Sequence, residues 1–118
     1  MSLSFYELNR RLAEFARVRE WEQFHSPKNL SMALIAEAAE LVEHFQWLTQ
    51  EESNNLPAEK LEEVRLELAD IQIYLMRIAE RLGVDLLAAA EEKMAINEQR
   101  YPTERVKGSA KRASEYER

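Results

Sequence analysis

Two short stretches of the chain carry the residue types best suited to chemistry. Ala36-Glu37-Ala38-Ala39-Glu40 and Glu67-Leu68-Ala69-Asp70 each hold two carboxylates three residues apart. Both lie in runs with helical apolar spacing, which puts each pair on one helix face about a turn apart. Helices packed with those faces together would gather Glu37, Glu40, Glu67 and Asp70 at one place. Desolvation and mutual repulsion would then push most of them toward the neutral acid. A hard cation resolves that conflict. Oxygen ligands, with no Cys and only 2 His in the chain, point to Mg²⁺ or Mn²⁺. The competing reading is a pair of solvated helix faces, because acids at this spacing are common in a chain with 22 of them. Glu37 on an apolar seam and Asp70 in an apolar run weigh toward a metal site. A di-iron bundle fits poorly: it expects Glu-x-x-His pairs, and His44 follows Glu40 by four residues.

The elements that must position these acids read as an all-α fold of four helices. Phe5, Leu8, Leu12 and Phe15 predict a first helix over residues 4–20, with Ser4 as N-cap and Glu7 completing a capping box. Trp21 to His25 breaks the pattern and reads as a connection that packs down. Ser26-Pro27 starts the second helix; its seam is Leu30, Leu34, Leu41 and Leu48, with Glu37 on it and Phe45 and Trp47 at its end. Residues 49–56 read as a polar loop. Pro57 opens a third helix, whose seam Leu61, Val64, Leu68, Ile71, Leu75, Ile78 and Leu82 predicts burial on most sides. Glu63, Glu67, Asp70 and Tyr74 form a separate stripe, and Gly83 stops the helix. Asp85 caps a fourth helix running to about residue 100, with Leu86, Leu87, Ala90 and Met94 inward. The expected organisation is one helical domain over residues 1–102, which holds all the candidate site residues, and a polar, mobile tail over 103–118.

Composition narrows the function. At 118 residues the chain is one domain. A net charge of −6 argues against a nucleic-acid polymer as partner. No apolar run approaches the ~20 residues of a membrane span, and residues 1–7 lack the regions of a signal peptide, so a cytoplasmic location is expected. Trp21, His25 and Trp47 read either as core filling or as ligand contacts. Lys93, Asn97 and Arg100 share a face that reads either as solvated or as anion-binding. A nucleotide needs this mixture: aromatic walls for a base, His and amide donors, cations and metal-bound acids for phosphates.

The two acid pairs resemble the ExxE…ExxD signature of the MazG-like all-α nucleoside triphosphate pyrophosphohydrolases. Longer blocks are more specific: residues 19–30 (REWEQFHSPKNL), Phe45-Gln46-Trp47, residues 70–75 (DIQIYL) and residues 93–102 (KMAINEQRYP). Together they resemble the dCTP pyrophosphatase branch, from about Phe5 to Pro102. The resemblance implies hydrolysis of a deoxynucleoside triphosphate, dCTP or a 5-modified dCTP, to monophosphate and pyrophosphate, which would cleanse the nucleotide pool. It implies Glu37, Glu40, Glu67 and Asp70 as catalytic Mg²⁺ ligands. Trp21, His25 and Trp47 would line the base and sugar pocket, with Tyr74 nearby. Lys93, Asn97, Arg100 and Tyr101 would reach the phosphates. It also implies a homotetramer built as a dimer of dimers. Where the family often carries Gly around the first acid pair, this chain has Ala36, Ala38 and Ala39. The alternatives are another or a broad base preference, or a helical binding module without activity; the four intact acids count against the last.

Overall fold

The computed structural model describes residues 3–116, and every regular element among them is helical. Helix α1 spans Phe5–Val18. The Ser4 hydroxyl accepts from the Glu7 N–H at 3.0 Å, satisfying one of the orphan donors of the first turn. The helix stops earlier than its apolar spacing predicts. The Glu20 N–H donates to the Arg17 carbonyl (3.0 Å) and the Trp21 N–H to the Ala16 carbonyl (2.9 Å). This is a Schellman closure, with Glu20 at φ 56° in the left-handed position that usually falls to Gly. The reversal brings Trp21 back onto the helix, where its ring meets Phe15 edge-on at 5.7 Å. A 3₁₀ turn, Glu22–Phe24, completes the connection. Trp21 packs as predicted on its inner side, whereas Phe24 remains 59% exposed.

Helix α2 spans Pro27–Phe45, with the Ser26 hydroxyl accepting from the Asn29 N–H at 3.1 Å and Pro27 in the first turn. Trp47 and Leu48 lie in the turn beyond it, so Leu48 leaves the predicted seam. The expected polar loop contains a one-turn helix, α3, over Gln50–Ser53. Thr49 and Glu52 close a capping box around it, at 3.1 Å and 2.8 Å; the Thr-x-x-Glu spacing was its sequence signal.

Helix α4, Ala58–Leu82, is the element on which α2 packs most extensively and α1 less so. It ends in the same closure as α1, this time with Gly83 at φ 67°. Its burial differs from the prediction. Val64 is buried, and Ile71 and Ile78 are half-buried, but Leu61, Leu68, Leu75 and Leu82 lie between 42% and 59% exposed. Those leucines recur every seven residues on one edge of the seam, and α1 and α2 cover the other edge. The charged residues Glu67 and Arg77 are buried instead, at 8% and 4% exposure.

The chain forms two compact units, Met1–Val84 and Asp85–Arg118. The second contains α5 (Leu86–Arg100) and the one-turn helices α6 (Thr103–Val106) and α7 (Ala113–Tyr116). The Asp85 carboxylate caps α5 through the Ala88 N–H at 3.0 Å. No residue of α5 is buried, and Leu87 and Met94, predicted to face inward, are exposed. In the tail, the Ala113 N–H donates to the Tyr101 hydroxyl at 3.1 Å. Residues 1–2, at the start of the expected helical domain, and 117–118, at the end of the expected tail, lie outside the described residues. Among those described, no helix is long and apolar enough to cross a membrane.

Candidate functional site

The packing of α2 on α4 joins the two acid pairs. Glu37 from α2 and Glu67 and Asp70 from α4 each offer a carboxylate oxygen within 4.8 Å of the others. Glu40 also reaches Glu67 but stands outside that close group. The buried acid is Glu67, with Glu37 half-buried and Asp70 exposed, so the environment expected for Asp70 belongs to its neighbour one turn earlier.

Glu67 bears the electrostatic consequence. Its carboxyl is pushed up to about 8, first by contact with the Glu37 carboxyl, then by contact with Glu40, with burial adding to both. Acids in contact compete for one proton, since like charges this close cannot all ionise in a partly dry site. The Oε2 atom of Glu67 is buried with nothing donating to it. A buried acceptor among acceptors is costly to leave so. A divalent cation fits this arrangement: three oxygens from three carboxylates converge, the set contains no sulfur or imidazole, and one oxygen lacks a partner.

On the α2 side of the stripe, His44 meets Glu63 (3.8 Å) and Lys60 (3.4 Å), and Lys60 pairs with Glu63 at 3.3 Å. This histidine serves a link between α2 and α4, which removes the residue a di-iron reading would need.

In the opposite direction along α4, Asp70, Ile73, Tyr74 and Arg77 recur at helical spacing and line one wall of a cavity of about 180 Å³. Phe15 from α1, Trp21 and His25 line it from the other side. The His25 ring lies 6.3 Å from the Trp21 ring, edge-on. Its Nδ1 is buried without a partner. Burial holds its pKa below the ordinary histidine range, and the positive charges of Arg77 and Arg81 reinforce the shift, so the ring is neutral near pH 7. Trp21, His25 and Tyr74, three of the four residues expected around a base, are therefore brought together. The fourth is not: Trp47 is 87% exposed and takes no part in the cavity walls. Arg77 is the residue that sequence reasoning missed. Its signal was available, since position 77 continues the stripe of Glu63, Glu67, Asp70 and Tyr74, but an arginine beside Met76 reads as a surface charge.

The expected phosphate-binding residues lie on the second unit. Lys93 and Arg100 are exposed, and Asn97 and Tyr101 are half-buried. The Arg100 guanidinium stands 6.0 Å from the Tyr101 ring.

A helical fold with paired acids on facing helices defines a class, and comparison with known proteins agrees. The model of the MazG-like family matches residues 33–116, and the chain belongs to that family. Among curated proteins it is similar to dCTP pyrophosphatase 1 of Rattus norvegicus, with 45% identity over 106 residues that cover 88% of this chain and 62% of that protein. Similarity to dCTP pyrophosphatase 1 of Homo sapiens is 43% over 111 residues, covering 92% of this chain and 65% of that protein. The chain thus spans a little under two thirds of the length of these relatives. Among solved structures, a pyrophosphatase from Archaeoglobus fulgidus superposes with a TM-score of 0.80 at 35% identity, over 86% of this chain and 95% of that one.

Proposed function

We propose that this protein is a Mg²⁺-dependent nucleotide pyrophosphohydrolase that converts dCTP, and 5-modified dCTP, to the monophosphate and pyrophosphate. The observation that carries this reading is Asp70, which belongs to both the carboxylate group and the wall of the aromatic cavity. One residue thus joins a place for a metal-bound phosphate to a place for a ring. The cavity, at about 180 Å³, has room for a base and not for a whole nucleotide, whose sites are usually larger than about 300 Å³. The triphosphate would lie outside it, toward Glu67 and Glu37. Likeness to the dCTP pyrophosphatases supports the choice of base.

Glu37, Glu67 and Asp70, with Glu40 beside them, would hold the metal, Mg²⁺ or Mn²⁺. Bound there, it would neutralise phosphate charge and polarise the oxygens of the attacked phosphorus. Water attacks the α-phosphorus, the bond to the bridging oxygen breaks, and that oxygen leaves with pyrophosphate. Glu40, outside the close group of three, is the carboxylate we assign to take the proton of the water. Trp21 and Tyr74 hold the base and sugar, and neutral His25 supplies a hydrogen bond rather than a charge. Lys93, Asn97, Arg100 and Tyr101 are the proposed phosphate-binding set, supported by the likeness to the relatives.

The assembly we propose is a homotetramer, a dimer of dimers in the cytoplasm. It is supported by the exposed leucines of α4 and, separately on the second unit, by the exposed Leu87 and Met94 of α5, apolar side chains of the kind that contact between copies would cover. Residues 1–102 are proposed as the catalytic domain, with 103–118 as an accessory tail. A broader base preference is the second reading, favoured by the exposure of Trp47 outside the cavity. Pyrophosphate release from the four common dNTPs, in Mg²⁺ and in EDTA, tests the function. Mg²⁺-dependent release dominated by dCTP is expected, and no release from any dNTP overturns it.

A further inference from the structure

We propose that Arg77 reads the base: its guanidinium donates to the adjacent O2 and N3 acceptors of cytosine and thereby selects cytosine over thymine and uracil. This rests on the reading of the cavity as the base site. Arg77 is 4% exposed, lines the cavity, and its Nε is buried with no partner. No carboxylate or carbonyl among the described residues pairs with it. A guanidinium is charged at any physiological pH and presents a rigid fork of donors, so its burial without an acceptor is costly unless a ligand supplies one.

The placement along α4 identifies that acceptor. Arg77 lies seven residues from Asp70, a rise of about 10 Å along the helix axis. A nucleotide with its phosphates at Asp70 extends its base, and not its phosphates, to that distance. The walls between are aromatic or apolar: Tyr74 and Ile73 on α4, Phe15 and Trp21 opposite. Cytosine offers two neighbouring acceptors on its pairing edge, O2 and N3, which match two N–H groups of the fork. Thymine and uracil carry a hydrogen on N3. It would face another donor, and such a mismatch in a dry site costs much more than an absent contact. His25, neutral and beside Arg77, adds no second charge to the pocket.

The experiment measures binding of dCMP and dTMP in Mg²⁺ by calorimetry, with turnover of dCTP and dTTP alongside, for wild type, Arg77→Met and Arg77→Lys. Wild type is expected to prefer dCMP by about tenfold or more, the discrimination of a bidentate base contact. Arg77→Met should weaken dCMP by about 10- to 100-fold and dTMP by less than about threefold. Its melting temperature should equal or exceed that of wild type, because a buried unpaired charge is removed at similar volume. Arg77→Lys, which keeps the charge and loses the fork, should fall between them. Equal weakening of both nucleotides, an unchanged dCMP preference in Arg77→Met, or no preference in wild type overturns the assignment. An absence of turnover with intact dCMP preference would overturn the proposed reaction and leave Arg77 as the base reader.

Discussion

The two ends of one face of α4 are unsatisfied in opposite senses. Around Glu67, carboxylates crowd together and a buried oxygen has no donor. Nearly three turns later Arg77, and His25 on the other side of the cavity, present buried nitrogens with no partner. Elsewhere the protein handles charges conventionally: Glu14 with Arg17 and Glu62 with Arg65 are exposed pairs one turn apart, worth little to stability. The contrast separates charge paired in solvent from charge buried without a partner. A molecule that brings a cation and phosphates to one end and hydrogen-bond acceptors to the other would complete both.

Asp70 is where the two ends meet, so its loss should have the largest effect. Asp70→Asn, a change of little steric cost at an exposed position, should lower dCTP turnover by more than about 100-fold, since even groups one step removed from a metal cost about 10- to 100-fold. Its circular dichroism should match wild type. Retention of activity would detach the carboxylates from the chemistry and break the link between the two ends.

The smallest effect lies at the helix ends and tests whether strain belongs to the site. Glu20 and Gly83 occupy equivalent left-handed positions in the same closure, one with a Cβ and one without. Glu20→Gly should stabilise the protein by about 0.5–1 kcal/mol, as relief of backbone strain exceeds the entropy glycine adds to the unfolded chain. Denaturant unfolding measures it. A loss of stability would mean that the Glu20 side chain contributes more than its backbone conformation costs.

The same contrast explains what the sequence could reveal. Ser4, Ser26, Gly83 and Asp85 act locally, through caps and closures whose residue types are diagnostic, and the four long helices followed from them. The acid pairs were legible for the same reason, because three-residue spacing places a pair on one face whatever it packs against. Which acid is buried was not legible: that depends on how α2 crosses α4, and the crossing shelters Glu67 rather than Asp70. The leucine seam misled because its seven-residue repeat does not say which edge is covered within one chain. Arg77 was hidden because a buried unpaired arginine contradicts the general pattern, and only the cavity beside it supplies a reason. The early stop of α1 was hidden because Glu20 does the work of a glycine.

The most direct test of the account is the stability of wild type relative to Glu67→Gln as a function of pH, with and without Mg²⁺. A carboxyl raised in the folded state from an ordinary 4.5 to about 8 favours folding while it is protonated. Its contribution is therefore complete below about 4.5 and lost as pH rises through about 8. Without metal, the melting temperature of wild type should fall relative to Glu67→Gln across that interval, and Mg²⁺ should abolish the fall by taking the place of the proton. A difference that stays flat with pH, or one that Mg²⁺ leaves unchanged, would contradict the claim that these carboxylates are gathered for a cation.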